Sequence, residues 1–408
     1  MDSPQPARRD PAMDPPAAAA LMDELVEEVL IRVPPDDSAT LVRATLVCKR
    51  WCRLIAGASF RRRFRELHPR PPMLGYLYRR RDGTDFVPTS SFRPPHAVRE
   101  GWSVLDARHG RVLVVDLAEL ALIVWDPVTD DLRSLPTPWL PLSMGNMALL
   151  CAMANCDHRD CRGGPFLVVA AGGFGESHAL ADIYSSEQGT WSELITEMQH
   201  FNGRDRLGTL VRGTLVGNAI YFNYKRSTKI LEYELGRQEL SIIYLPSAFH
   251  SWHIVLMEAD DGVLGFATVQ DSKLCLWARE AGVDGHVGWA QRRVIELDKL
   301  LPVPDCNRSA PLDVYASASP PPFVVAVADG IHVIFLWAGD ELFSIHLKSS
   351  RVEKIGEFIS DVAVVPYMSF CTPGTTSLAV GLLYHLTDTT LLSCDCRFSD
   401  LLLCQLLI

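Results

Sequence analysis

"GRVLVVDLAELALIVWDPVTDDLRSLP", Gly110 to Pro136, decides the fold. Arg111–Val115 and Leu122–Trp125 are short runs of Val, Leu and Ile, separated by an acidic, turn-forming stretch and followed by another around Asp126 and Asp131. Runs this short, bounded by turn residues, read as strands rather than helices. The same plan recurs in Phe166–Leu194, Gly217–Pro246, Gly262–Leu297 and Asp329–Phe358: a strand, a turn at a small or acidic residue, a second strand, then a segment carrying an aromatic. A spacing of roughly 40–50 residues with several strands per unit is the signature of a propeller. One four-stranded sheet cannot bury both of its faces, and radial stacking covers them while leaving only short edges. Five units are visible, and Met73–Pro88 supplies strands for a sixth that closes the ring against the last. The expectation is a propeller-like all-β domain of five to seven blades over residues 69–368.

Outside that domain the texture differs. Residues 1–20 are rich in Pro, Ala and Asp without periodicity and are expected to be disordered. Residues 21–68 have helical spacing, and Pro69-Arg70-Pro71-Pro72 reads as a boundary. The last stretch, 369–408, is apolar, rich in cysteine and out of step with the repeats, an atypical tail that is either a docked helix or disordered. The fold class expected is therefore an α+β multidomain chain: a small three-helix module, then the propeller.

Composition narrows the function classes. The chain has 408 residues, 48% hydrophobic and 22% charged, with a net charge of −10, which argues against general polyanion binding. Eleven scattered cysteines without a secretory signal point to free thiols in a reducing compartment. No run approaches the roughly 18 apolar residues of a membrane span; Phe323–Trp337 is interrupted by Asp329 and His332. A cytoplasmic or nuclear location is expected, with neither membrane nor nucleic acid as partner. The basic clusters Arg61-Arg62-Arg63-Phe64-Arg65 and Arg79-Arg80-Arg81 read as solvated faces or complements to acidic groups.

In the helical segment, Leu21, Leu25, Val29 and Val33 recur every four residues, with Val26 and Leu30 beside them and Glu24, Glu27 and Glu28 on the remaining face. This is an amphipathic helix stopped by Pro34-Pro35. Asp36, Asp37 or Ser38 can cap a second helix over Leu41–Ile55, and Phe60, Phe64 and Leu67 make a third. "LMDELVEEVLIRVPPDDSATLVRATLVCKRWCRLI", Leu21 to Ile55, resembles the F-box, most specifically in its closing "LVCKRW"; Met22 stands where that family usually has Pro, and Ser38-Ala39 where it often has a Leu-Leu-like pair. The resemblance implies a Skp-family adaptor, a cullin–RING ubiquitin ligase beyond it, and adaptor-binding positions at Leu21, Leu25, Pro34, Val47, Cys48 and Trp51. The alternative for the same segment is a small helical bundle capping the propeller, its apolar stripe being core. "VWDPVTDDLRSLP", Val124 to Pro136, is similar to the Trp-Asn-Pro-x-Thr…Leu-Pro signature of plant F-box-associated propellers, and Gly172, Gly173, Tyr184 and Trp191 match a kelch repeat. Together these imply a substrate receptor of a Skp–cullin–F-box ligase that binds an unknown target protein through its propeller; the alternative is a ligase-independent propeller scaffold with a degenerate F-box.

Candidate chemistry is sparse. Cys151, Cys156, His158 and Cys161 place three thiols and an imidazole within eleven residues, in the spacing C-x4-C-x-H-x2-C, which fits no common zinc finger; these residues are a weak metal candidate against a plain loop of free cysteines. Cys394, Cys396 and Cys404 are weaker still. Gly172-Gly173-Phe174-Gly175 lacks the lysine of a phosphate cradle, and neither a Gly-x-Ser-x-Gly elbow nor a His-Glu-x-x-His motif occurs. No cofactor and no enzymatic activity are expected. His250, His253 and His332 fall in different units. Target contacts are expected from blade loops, with Phe249, His250, Trp252 and His253, and the loop Cys156–Arg162, as the candidate positions.

Overall fold

The computed structural model describes residues 15–140, 142, 145–159, 161–174, 178–198, 206–207, 212–225, 228–246, 249, 254–281, 287–301, 321–339, 341–357 and 363–372. It divides into a helical unit within residues 1–69 and a second unit, Arg70–Cys371.

The helical unit has four helices rather than three: α1 Pro15–Leu30, α2 Ser38–Val47, α3 Lys49–Ala56 and α4 Ala58–Leu67. Helix α1 starts inside the stretch expected to be disordered, because its run of alanines has high helix propensity. Asp37 caps α2, its carboxylate accepting from Thr40 N (3.2 Å) and Thr40 Oγ1 (2.6 Å). The run read as one helix over Leu41–Ile55 breaks at Cys48, whose backbone is extended (φ −162°, ψ 161°). Apolar spacing continues across the break and conceals it. Leu41, Ala44, Trp51, Ile55, Phe60 and Phe64 are buried, and Phe60 and Phe64 stack at 5.9 Å.

The second unit is a six-bladed propeller, one antiparallel sheet per blade. Blade 1 spans Trp102–Leu135, blade 2 Gly145–Met198, blade 3 Arg206–Tyr244, blade 4 Val255–Glu296 and blade 5 Phe323–Glu357. Blade 6 joins both ends of the unit: Val364–Met368 pairs antiparallel with Met73–Arg79, which leads to Gly83–Pro88 and Val98–Glu100. The ring closes where the inner strand of blade 6 meets that of blade 1. Gly75 sits in the neighbouring strand Met73–Arg79, where a Cβ would meet Val87 O at 2.5 Å and the Phe86 ring at 2.6 Å.

The core lies between blades. In the inner strand of blade 2, Met147 and Leu149 pack with Leu113, Val115 and Val124 of blade 1. The alternate residues Ala148 and Leu150 pack with Phe222, Tyr224 and Tyr233 of blade 3. Each strand's period of two thus feeds two interfaces. The same alternation joins blades 3 and 4, 4 and 5, and 5 and 6.

The repeats read from the sequence begin one strand late. They capture the outer strands of blades 1 to 5 and miss the inner strands Trp102–Arg108, Gly145–Cys151, Thr214–Val216, Val255–Glu258 and Phe323–Ala328. The first of these is buried at every position yet contains Ser103, Asp106 and Arg108, so it has no apolar alternation to read.

Candidate functional site

The F-box-like residues separate by exposure. Leu25, Val29 and Leu46 are 67%, 39% and 44% exposed although apolar. Pro34 is exposed and Val47 half-buried. Cys48 and Trp51 are buried, Trp51 only 5% exposed, and both pack in the core of the module. Leu21 lies in α1, and its side chain is outside what the structure describes. Ser38, in the position where a Leu-Leu-like pair is common, is buried at the start of α2. The first basic cluster is engaged internally, with Arg63 bridging Glu27 and Glu28 of α1 at 2.9 Å each. In the second, Arg80 pairs with Asp82, Asp85 and Glu100 at 3.1, 2.9 and 3.1 Å.

On the propeller, Phe249 is buried and meets Phe266 and Trp277 edge-on at 5.3 and 5.0 Å. It packs in the core shared by blades 3 and 4. His250, Trp252 and His253 lie outside the described residues. His332 bonds to Asp260 at 3.2 Å in the neighbouring blade.

The sequence reading missed a buried ionic network on the propeller axis. Asp106, fully buried, accepts from Ala107 N (2.8 Å), Leu149 N (2.8 Å), Arg108 Nη1 (2.7 Å) and Arg212 Nε (2.9 Å). Arg212 continues to Asp329 Oδ2 (3.3 Å) and Val327 O (3.4 Å) in blade 5, and Arg108 donates to Gly213 O. Blades 1, 3 and 5 alternate around a six-bladed ring, so these groups meet only by crossing its centre. A bulge that leaves Leu105 unpaired re-aims the strand just before Asp106. Burial lowers the Arg108 pKa against the pull of Asp106. For Arg212, burial also works downward, but Asp106 and Asp329 outweigh it and hold the pKa above the ordinary value. The carboxylates that a catalytic axis would offer are here engaged by guanidinium groups.

The thiol candidates do come together. The ligand atoms of Cys151, Cys156, His158 and Cys161 all lie within 4.8 Å of one another. Cys151 ends the inner strand of blade 2, and the others ride on the loop, residues 152–165, that leads to the strand Phe166–Phe174.

A family model described as "F-box protein AT5G49610-like, beta-propeller" matches residues 103–373. The chain belongs to this family. An F-box domain model matches residues 21–63 of the same F-box propeller. "F-box protein At5g03970" of Arabidopsis thaliana is 26% identical over 282 residues, a match spanning 62% of this chain and 64% of that relative's length. Two solved structures superpose loosely. The WD40 domain of SCAP from fission yeast gives a TM-score of 0.33 at 13% identity, over 65% of this chain and 58% of that one. A chain of the Nidogen/Laminin complex gives 0.35 at 12%, over 73% and 99%. At these scores neither adds to the fold or the function.

In this F-box propeller the Trp-Asp-Pro motif has a structural explanation. Asp126 Oδ1 accepts from Val128 N (2.8 Å) and Thr129 N (3.3 Å), and Trp125 Nε1 donates to Asp130 Oδ1 (2.9 Å). The motif builds a hairpin turn and pins its own tryptophan. In the kelch-like unit, Tyr184 is buried against Trp191, ring centroids 5.6 Å apart, and Trp191 Nε1 donates to Pro136 O at 2.7 Å in blade 1.

Proposed function

We propose that this F-box propeller is the substrate-recognition subunit of a Skp–cullin–F-box type ubiquitin ligase. The helical module holds a Skp-family adaptor, and through it a cullin–RING assembly; the propeller holds a target protein. The observation that carries this reading is apolar exposure at Leu25, Val29 and Leu46 on a module whose core is already filled by Leu41, Trp51, Ile55, Phe60 and Phe64. Leu25 and Val29 lie one turn apart on α1, and helix-in-groove recognition draws its affinity from apolar anchors of this kind.

Ubiquitin transfer then needs no chemistry from this chain. Holding a target lysine near a charged conjugating enzyme raises its effective concentration, and the engaged axial carboxylates support a binding role over an enzymatic one. The reading places the protein in the cytoplasm or nucleus, where its free thiols are stable. Co-expression of the full chain with a plant Skp-type adaptor and a cullin–RING pair tests it. Co-elution of all components as one stoichiometric complex is expected. A folded chain eluting alone contradicts the proposal.

A further inference from the structure

We propose that Cys151, Cys156, His158 and Cys161 form a closed structural zinc site that folds the blade 2 loop. Four observations lead there. The ligand set is three sulfurs and one nitrogen with all ligand atoms within 4.8 Å of one another. Tetrahedral zinc with Zn–S near 2.3 Å puts sulfurs about 3.8 Å apart, so a contraction of about 1 Å or less closes the shell. Cys161 Sγ already lies 3.9 Å from His158 Nδ1. Softness of the donors selects zinc over the hard divalent cations.

The backbone is arranged for thiolates. Met153 N donates to Cys151 Sγ and His158 N to Cys156 Sγ, each at 3.4 Å. Two cysteines two residues upstream of a donating amide make the same turn twice. Amide donors of this kind stabilise charge on sulfur and fix the direction in which it points.

The loop is also long for its place in the fold. At this end of the propeller, blades 1 and 3 connect their inner two strands through residues 109–110 and 217–218 alone, whereas blade 2 uses 152–165. A loop of that length without secondary structure needs its own organising contacts. Its ends are tied by Ala152 N to Pro165 O (3.1 Å) and Gly164 N to Cys161 O (3.0 Å), but its interior is the thiol cluster, with Cys161 only 2% exposed. Three thiolates and a neutral imidazole around a divalent cation leave one negative charge, and Arg162 within the loop is paired with Asp126 at 3.2 Å while Arg111 reaches in from blade 1 to Gly164 O.

The test uses the full chain, purified in reducing buffer without added metal and dialysed against a weak chelator. Metal analysis is expected to find about one zinc per chain. Three thiols are expected to resist a thiol reagent until a strong chelator is added, and the cobalt-exchanged protein to show the visible absorption of a tetrahedral thiolate site. His158→Ala, on an exposed side chain, and Cys156→Ser should each lower retained zinc at least tenfold while the remaining blades keep their circular dichroism. Should Cys156→Ser fail to fold, His158→Ala alone decides. A folded native chain that neither retains zinc nor takes up cobalt overturns the proposal. So does unchanged zinc in the variants, which would place the metal elsewhere in the chain, or a disulfide among the three cysteines found by mass analysis.

Discussion

Trp51 and Leu25 are both apolar, sit in the same short module and were read from the same motif, yet they do different things. Trp51 is core, so Trp51→Ala removes a buried aromatic and should destabilise the helical unit by about 3–5 kcal/mol, seen as an early helical melting phase by circular dichroism. Adaptor binding lost in that variant would report unfolding and nothing more. Period and motif identified these positions as apolar and helical, but they cannot rank exposure, because the break at Cys48 that turns α3 inward leaves the spacing unchanged. Asp182 was invisible for a related reason. It lies in an apolar strand of blade 2, fully buried, accepting from Trp139 N at 3.1 Å, and burial raises its pKa. A carboxylate whose folded pKa exceeds the unfolded value of about 3.9 binds more protons when folded, so its contribution to stability falls as pH rises through that window. Asp182→Asn should therefore flatten thermal stability against pH from the acid side towards neutrality and raise the midpoint at pH 7. A profile that keeps its slope would show that Asp182 titrates normally.

At the scale of the element, the blades share a hairpin that the sequence shows only in part. Asp130 N bonds to Asp126 O, Gly189 N to Ser185 O, Gln238 N to Glu234 O and Ser350 N to His346 O, each at 2.8–2.9 Å. In all four the donor has left-handed backbone, with φ of 62°, 73°, 58° and 55°. One turn thus links the outer two strands of blades 1, 2, 3 and 5. Because Asp, Gly, Gln and Ser occupy its left-handed position, no residue identity marks the repeat; only Trp125 and Asp126 of blade 1 carry the recognisable motif. Gly189→Ala should cost about 1 kcal/mol, and Gln238→Gly should cost nothing or stabilise slightly, measured by chemical denaturation. Equal losses in both would mean that the turn conformation is not shared. The inner strand Trp102–Arg108 was missed for the opposite reason: it carries the buried polar groups Ser103, Asp106 and Arg108 where alternation is sought.

For the whole molecule, the axial network unites blades that share no face. Asp106 compensates Arg108 and Arg212 and receives two backbone amides. Asp106→Ala leaves Arg108 buried without its anion and Arg212 with Asp329 alone, and should destabilise the propeller by about 3–5 kcal/mol, in one cooperative transition rather than a local one; a loss below about 1 kcal/mol would show that water replaces the carboxylate. The sequence made the ring itself legible, with Met73–Pro88 as strands of a sixth blade, but not the strand Val364–Met368 that the other end of the unit adds to it. It could not show that charged residues far apart in the chain converge at the centre, since topology alone brings them together. The central claim concerns the other unit: exposed apolar side chains of the helical module dock an adaptor. The direct measurement is the affinity of the full chain for a purified Skp-type adaptor, native against Leu25→Ala/Leu46→Ala, with thermal unfolding recorded for both. The account predicts an affinity at least tenfold weaker in the variant, about 1.4 kcal/mol, with unchanged unfolding because neither side chain is core. Equal binding by the two proteins, or none by the folded native chain, would contradict it.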